Sequence, residues 1–213
     1  MVRIAEQNDW VIFLIVGCIF AYLFMLHSLQ RGAGLKEFLL QHFEDSSNSF
    51  LSWCVVSVVY CLVFSALFSQ YIPVVPPLIE KVKVFGYSLN KFGFTLLSVS
   101  TVYLFKTAVS YVFFAGSGNF KKWNIFYFAA TKFYFCASLL LMVACVIHYY
   151  YPIDRLIAFK VYVPVVLLLV IFKVLYYIFH KNRVLPQQWY YKFLYICTLQ
   201  IVPYLVLWKV LFF

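Results

Sequence analysis

A chain of 213 residues that is 65% hydrophobic, 23% aromatic and only 11% charged lies outside the range of soluble domains, which are roughly 45–50% apolar and about 25% charged. Its net charge of +10 is uneven: residues 1–80 hold three basic and six acidic residues, whereas residues 81–213 hold fourteen basic residues and one acid, Asp154. These figures exclude a disordered chain, a disulfide-stapled secreted domain and an ordinary water-soluble enzyme, and they indicate an integral membrane protein whose counter-charge is anionic lipid headgroup rather than nucleic acid.

A membrane-spanning helix needs about 20 mostly apolar residues, and hydropathy predicts six. The first covers 10–30. Asn8 or Asp9 is placed to cap it, and Trp10 stands where an interfacial aromatic belongs. It lacks a basic leader and a small-residue cleavage site, so it reads as a retained span. The second covers 51–72 and is stopped by Pro73, Pro76 and Pro77. The third covers 92–116 and ends at Gly116-Ser117-Gly118. The fourth covers 126–150 and ends before Pro152. The fifth covers 161–180 and the sixth 189–213. The fold class expected is therefore an all-α, six-transmembrane-helix bundle forming a single domain over 1–213, with interfacial or re-entrant elbows where helices break.

Between the first two spans, residues 35–44 place Leu35, Phe38, Leu39 and Phe43 on one helical face, with Lys36, Glu37, Gln41 and Glu44 elsewhere. That pattern suits a short helix in the membrane interface. A weak internal repeat links the third and fifth spans. Phe105-Lys106 precedes Tyr111-Val112-Phe113 and Trp123, and Phe172-Lys173 precedes Tyr177-Ile178-Phe179 and Trp189. Chance matching among so many Phe and Tyr residues is the rival reading.

Lys/Arg counting sets orientation. The connections after spans one, three and five hold as many basic residues as the N-terminal tail and the remaining connections. The lysines inside spans tip the balance towards both termini being periplasmic.

Those in-span lysines, Lys106, Lys132, Lys173, Lys192 and Lys209, are the most informative residues, because no Asp or Glu lies within any predicted span. A charge at the bilayer centre costs about 2.5–3.5 kcal/mol even on insertion scales. Three readings compete: snorkelling to the interface, an anion supplied by a partner subunit or lipid phosphate, and a lysine-lined cavity. The first two make Lys106, Lys132, Lys173 and Lys192 lipid- or partner-contact candidates. In the last span, Pro203 cannot donate to the carbonyl of Leu199. Gln200 beside it reads as a helix–helix contact, or as part of a transport site.

Conventional chemistry is hard to find. His27, His42, His148 and His180 show no i, i+3 or i, i+4 pairing. An interfacial role outweighs a bis-histidine haem anchor, and no cluster suits a metal. Cys18, Cys54, Cys61, Cys136, Cys145 and Cys197 lie in apolar runs and read as packing residues. There is no G-x-S-x-G, Walker loop, G-x-G-x-x-G or H-E-x-x-H. Glu44-Asp45 reads as a cap or solvated turn. No catalytic residue, cofactor or metal is expected.

Asn8-Asp9-Trp10 before the first span, the lysine of Tyr103-Leu104-Phe105-Lys106, and the run from Lys192 to Pro203 carry a resemblance. The chain resembles, from about residue 8 to 211, the multi-pass inner-membrane family of Bacteroidota filed as domain of unknown function 4271. That family favours Glu where this chain has Gln200. The resemblance implies a bacterial inner-membrane location and brings no activity or catalytic residue with it.

The expectation is thus a non-enzymatic inner-membrane subunit or accessory factor of an envelope complex, in protein translocation, secretion or envelope biogenesis. Its partners would be anionic lipids and integral subunits bearing acidic transmembrane residues, with no nucleic acid. A small transporter or channel with a lysine-lined cavity is the alternative. A haem or quinone membrane-anchor subunit comes third and a lipid-modifying enzyme last.

Overall fold

The computed structural model describes residues 9–32, 34–41, 43, 48–72, 83–84, 87–88, 90–116, 118, 120–179 and 189–212. Six helices in it are long and apolar enough to cross a membrane, and they make an all-α bundle. Helix α1 (Asp9–Leu29) finishes in a π-helical turn over Met25–Leu29. A short α2 (Leu35–Leu40) leads to α3 (Ser49–Phe68). Two-residue strands β1 (Lys83–Val84) and β2 (Tyr87–Ser88) pair antiparallel before α4 (Lys91–Gly116). Then come α5 (Phe120–Tyr150) and α6 (Arg155–Phe179). The last span begins as α7 (Trp189–Leu194), passes through a π-helical stretch over Tyr195–Ile201, and continues as α8 (Val202–Phe212).

Helix α3 is the hub. More than half of its span is buried, and α5 covers it most extensively, with α4 and α1 alongside. Small residues explain the close approach: Ser52, Ser57, Ser65 and Ala66 of α3 are all buried, and small side chains let membrane helices come together where lipid provides no hydrophobic drive. Polar ties cross the same contacts. Ser57 Oγ and Tyr103 OH lie 2.8 Å apart, Gln30 Nε2 donates to Ser52 Oγ at 2.7 Å, and Tyr149 OH donates to the carbonyl of Ala66 at 2.9 Å. Tyr22 and Ser138 join α1 to α5 through their hydroxyls.

Helix ends depart from the hydropathy boundaries because a helix runs on past its apolar part. Helix α5 begins at Phe120 rather than 126, and α6 at Arg155 rather than 161. The start of α6 is fixed by Asp154, whose Oδ1 accepts from Leu156 N at 2.9 Å. Helix α3 stops at Phe68, short of the expected 72; Pro73, Pro76 and Pro77, read as its stop, lie outside the described residues, as do Asn8, Ser117 and Glu44-Asp45. The turn from α4 to α5 uses Gly118 at φ +68°, a left-handed conformation that suits glycine.

Helix α2 is shorter than the predicted 35–44. Phe38 is buried against Phe135, with ring centroids 5.2 Å apart, but Leu35 and Leu40 are exposed. Leu39 and Phe43 are half-buried, with the Phe43 and Phe128 ring centroids 5.7 Å apart, so of the expected stripe Leu35 alone faces outward, and Leu40 lies off it.

Candidate functional site

The in-span lysines divide sharply by location. Lys106 and Lys173 are 8% and 1% exposed. They do not snorkel, and their neighbours are side chains of this chain, not lipid. Lys132 is half-buried, Lys192 half-buried near the start of the last span, and Lys209 exposed.

Helical spacing brings the site together. On α4, Tyr103, Lys106 and Ser110 recur at i, i+3 and i+7 and all face inward. On α5, Phe126, Ala130 and Tyr134 form one buried stripe, and on α6 Lys173 and Tyr177 lie one turn apart. The last span supplies Tyr195 and Gln200, both buried. Five residues separate them, so an ordinary α-helix would turn them to different faces. The π-helical winding of Tyr195–Ile201 aligns them instead, and Gln200 Nε2 donates to Tyr195 OH at 2.9 Å. Val202 N–H closes the wide turn onto the carbonyl of Cys197. Pro203, which has no N–H to give, follows and is buried.

Gln200 is the hinge of the network. Its Oε1 accepts from Lys106 Nζ at 2.9 Å while its amide nitrogen serves Tyr195. Lys106 Nζ also lies 4.8 Å from the ring centre of Tyr204. Lys173 Nζ donates to Tyr134 OH at 2.5 Å and stands 4.2 Å from the centre of that ring, with Tyr177 at 5.7 Å. Aromatic faces stabilise a desolvated cation by about 2 kcal/mol. An amide oxygen, a phenol oxygen and ring faces are thus the partners of the two amines, and no carboxylate is among the residues around them.

Lys106 and Lys173 adjoin one another and line one chamber of about 30 Å³ with Ser110, Tyr134, Tyr177 and the rings of Trp53 and Trp123. The hydroxyl of Tyr177 is buried without a hydrogen-bond partner, an arrangement that costs about 1–3 kcal/mol. Trp53 and Trp123 stand within the first two turns of α3 and α5, so the chamber runs from mid-bundle towards the end where those helices begin. A second, larger groove of about 510 Å³ between α1 and α3 is walled mainly by apolar side chains.

Lys132 has a different task. Its Nζ donates to the carbonyl of Leu39 at 2.9 Å and to that of Gln41, and it lies 4.4 Å from the ring centre of Phe128. It ties down the C-terminal end of α2, where helix carbonyls lack internal partners.

The remaining candidates fall apart. His27 is exposed at the C-terminal end of α1, and His148 lies at the C-terminal end of α5 beside Tyr71. Trp10 packs on Tyr149 with ring centroids 5.8 Å apart, which sets His148 at the opposite end of α1 from His27. The two cannot hold one haem between facing helices. The Tyr71 hydroxyl and His148 Nδ1 lie 3.1 Å apart, and burial pushes the Tyr71 hydroxyl above its ordinary range. His42 and His180 lie outside the described residues. Among the described residues no group of three His, Cys, Asp or Glu side chains could hold a metal. Of the two repeat motifs, the lysines converge, but Tyr111 is exposed where Tyr177 is buried. Thr198 is exposed and bonds back to the carbonyl of Leu194.

Sequence reasoning did not single out Tyr134 or Tyr195, and named Tyr177 only as part of the repeat. With 18 tyrosines in the chain, their residue type carried no signal, and only the inward stripes on α5 and α6 would have marked two of them.

The profile of the family described as domain of unknown function 4271 matches residues 10–211. No curated protein and no solved structure matches the chain.

Proposed function

We propose that the chain, which belongs to the domain of unknown function 4271 family, is a small non-enzymatic transporter or channel of a bacterial inner membrane that handles an anionic solute through its buried lysines. The observation that carries this reading is the convergence of Lys106 and Lys173 on one aromatic-walled chamber inside a bundle of membrane-spanning helices. Solute sites in membrane proteins sit near mid-membrane, beside helices whose regular winding is broken, and the π-helical stretch that presents Gln200 is such a break. With both termini periplasmic, as basic-residue counting favours, the chamber faces the cytoplasmic end. Reconstitution into sealed liposomes tests the reading. Anion efflux should exceed that of empty vesicles and disappear in Lys106→Gln and Lys173→Gln; flux equal to the empty control rejects it.

A second reading, a subunit of an envelope complex engaged in secretion, translocation or envelope biogenesis, draws support from α6. Only 11% of its most apolar stretch is buried, against 28–56% in the other five spans. Such a helix has an outward apolar face free for another integral subunit. The internal partners of Lys106 and Lys173 remove the earlier reason to require an acid from that subunit. Co-purification in mild detergent should retrieve a stoichiometric partner cross-linked to α6; a partner-free monomer from native membranes rejects this reading.

A further inference from the structure

We infer that the chamber between α4, α5 and α6 is a binding site for one small inorganic anion of chloride-like size, held by Lys106, Lys173 and the hydroxyl of Tyr177. The inference rests on the solute-handling reading and names its substrate class.

Three observations converge. First, each lysine ammonium has three donors and no acceptor. Lys106 gives one to Gln200 and Lys173 gives one to Tyr134, which leaves donors in a chamber whose lining contains no carboxylate. Second, Tyr177 is 2% exposed and its hydroxyl meets no partner, while its ring centre lies 5.7 Å from Lys173 Nζ and its side chain lines the same chamber. An anion in this chamber would draw on three polar side chains that line it together, Lys106, Lys173 and Tyr177.

Third, the volume selects the ligand. A water needs roughly 10–15 Å³ of such space, so a chamber of about 30 Å³ holds an ion of one or a few heavy atoms. A halide or small planar oxyanion fits, whereas a phosphate ester carrying a carbon skeleton does not. Aromatic walls supply few replacements for a lost hydration shell, so weakly hydrated anions such as bromide and nitrate should bind better than fluoride.

The test measures binding without transport. Protein in detergent micelles is titrated with chloride against a gluconate background at constant ionic strength, and chloride NMR line broadening is read. Wild type should show a saturable excess width that bromide competes away. Lys173→Gln should abolish it. Gln200→Glu, which installs a carboxylate beside Lys106 without changing side-chain shape, should lower affinity at least tenfold, and Tyr177→Phe severalfold. Gln200→Glu and Tyr177→Phe keep the inference falsifiable if Lys173→Gln fails to fold. Absence of saturable broadening in wild type overturns the site, as does unchanged broadening in folded Gln200→Glu and Tyr177→Phe. Binding without liposome flux retains the site and rejects transport. Flux that survives these substitutions retains transport and rejects the site.

Discussion

Gln200 and Tyr195 are five residues apart in one span yet meet at 2.9 Å, because the backbone between them is wound as a π-helix. That winding lets a single amide bind Tyr195 with its nitrogen and Lys106 with its oxygen. Replacing Gln200 by Ala leaves the Lys106 ammonium buried without that acceptor and should destabilise the protein by about 1–3 kcal/mol. Thermal unfolding in detergent measures the loss, and an unchanged midpoint contradicts the assigned role.

Charge can replace the amide. Gln200→Glu places a carboxylate against Lys106 in a low-dielectric setting, where a buried cation gains most from a counter-charge. The unfolding midpoint should rise. In the background Lys106→Met the same Glu is a lone buried acid and should lower it. A double-mutant cycle reads the pair directly, and additive effects would show that the two side chains do not interact.

The clasp on α2 makes a local prediction. Lys132→Met removes the donor to the carbonyls of Leu39 and Gln41 while keeping the apolar stem over Phe128. Amide hydrogen exchange over residues 35–41 should accelerate by about ten- to a hundredfold, which corresponds to roughly 1.4–2.8 kcal/mol of lost local stability. Exchange in α3 should not change.

The contact of Ser57 with Tyr103 joins the hub helix to the lysine-bearing α4 at 2.8 Å. Hydrogen bonds between membrane helices average about 0.6 kcal/mol in double-mutant cycles. Ser57→Ala with Tyr103→Phe should return a coupling of that order in reversible unfolding. A coupling indistinguishable from zero would assign the contact to packing alone.

Which parts of this arrangement were legible beforehand follows from the physics of each. Membrane spans must be long apolar runs, so the six helices were readable from hydropathy. Their polar first turns were not, because Lys121, Lys122 and Arg155 break the apolar run without breaking the helix. The residues Val99, Tyr103, Lys106, Ser110 and Phe114 have helical spacing and are buried throughout, a grouping that hydropathy alone does not mark. Which side faced inward was not decidable, since both sides of a membrane helix are apolar. Pro203 hinted at a break, but a π-helical stretch depends on tertiary partners and has no reliable local code.

Lys106 and its acceptor Gln200 are 94 residues apart, on the third and the last span. Synthesis delivers them in that order. When α4 enters the bilayer its lysine lacks the Gln200 amide, and it remains an incomplete surface until the sixth span arrives. Helix-by-helix insertion thus leaves a network opened by the third span to be closed by the sixth, and a product cut before Trp189 leaves Lys106 without its Gln200 acceptor.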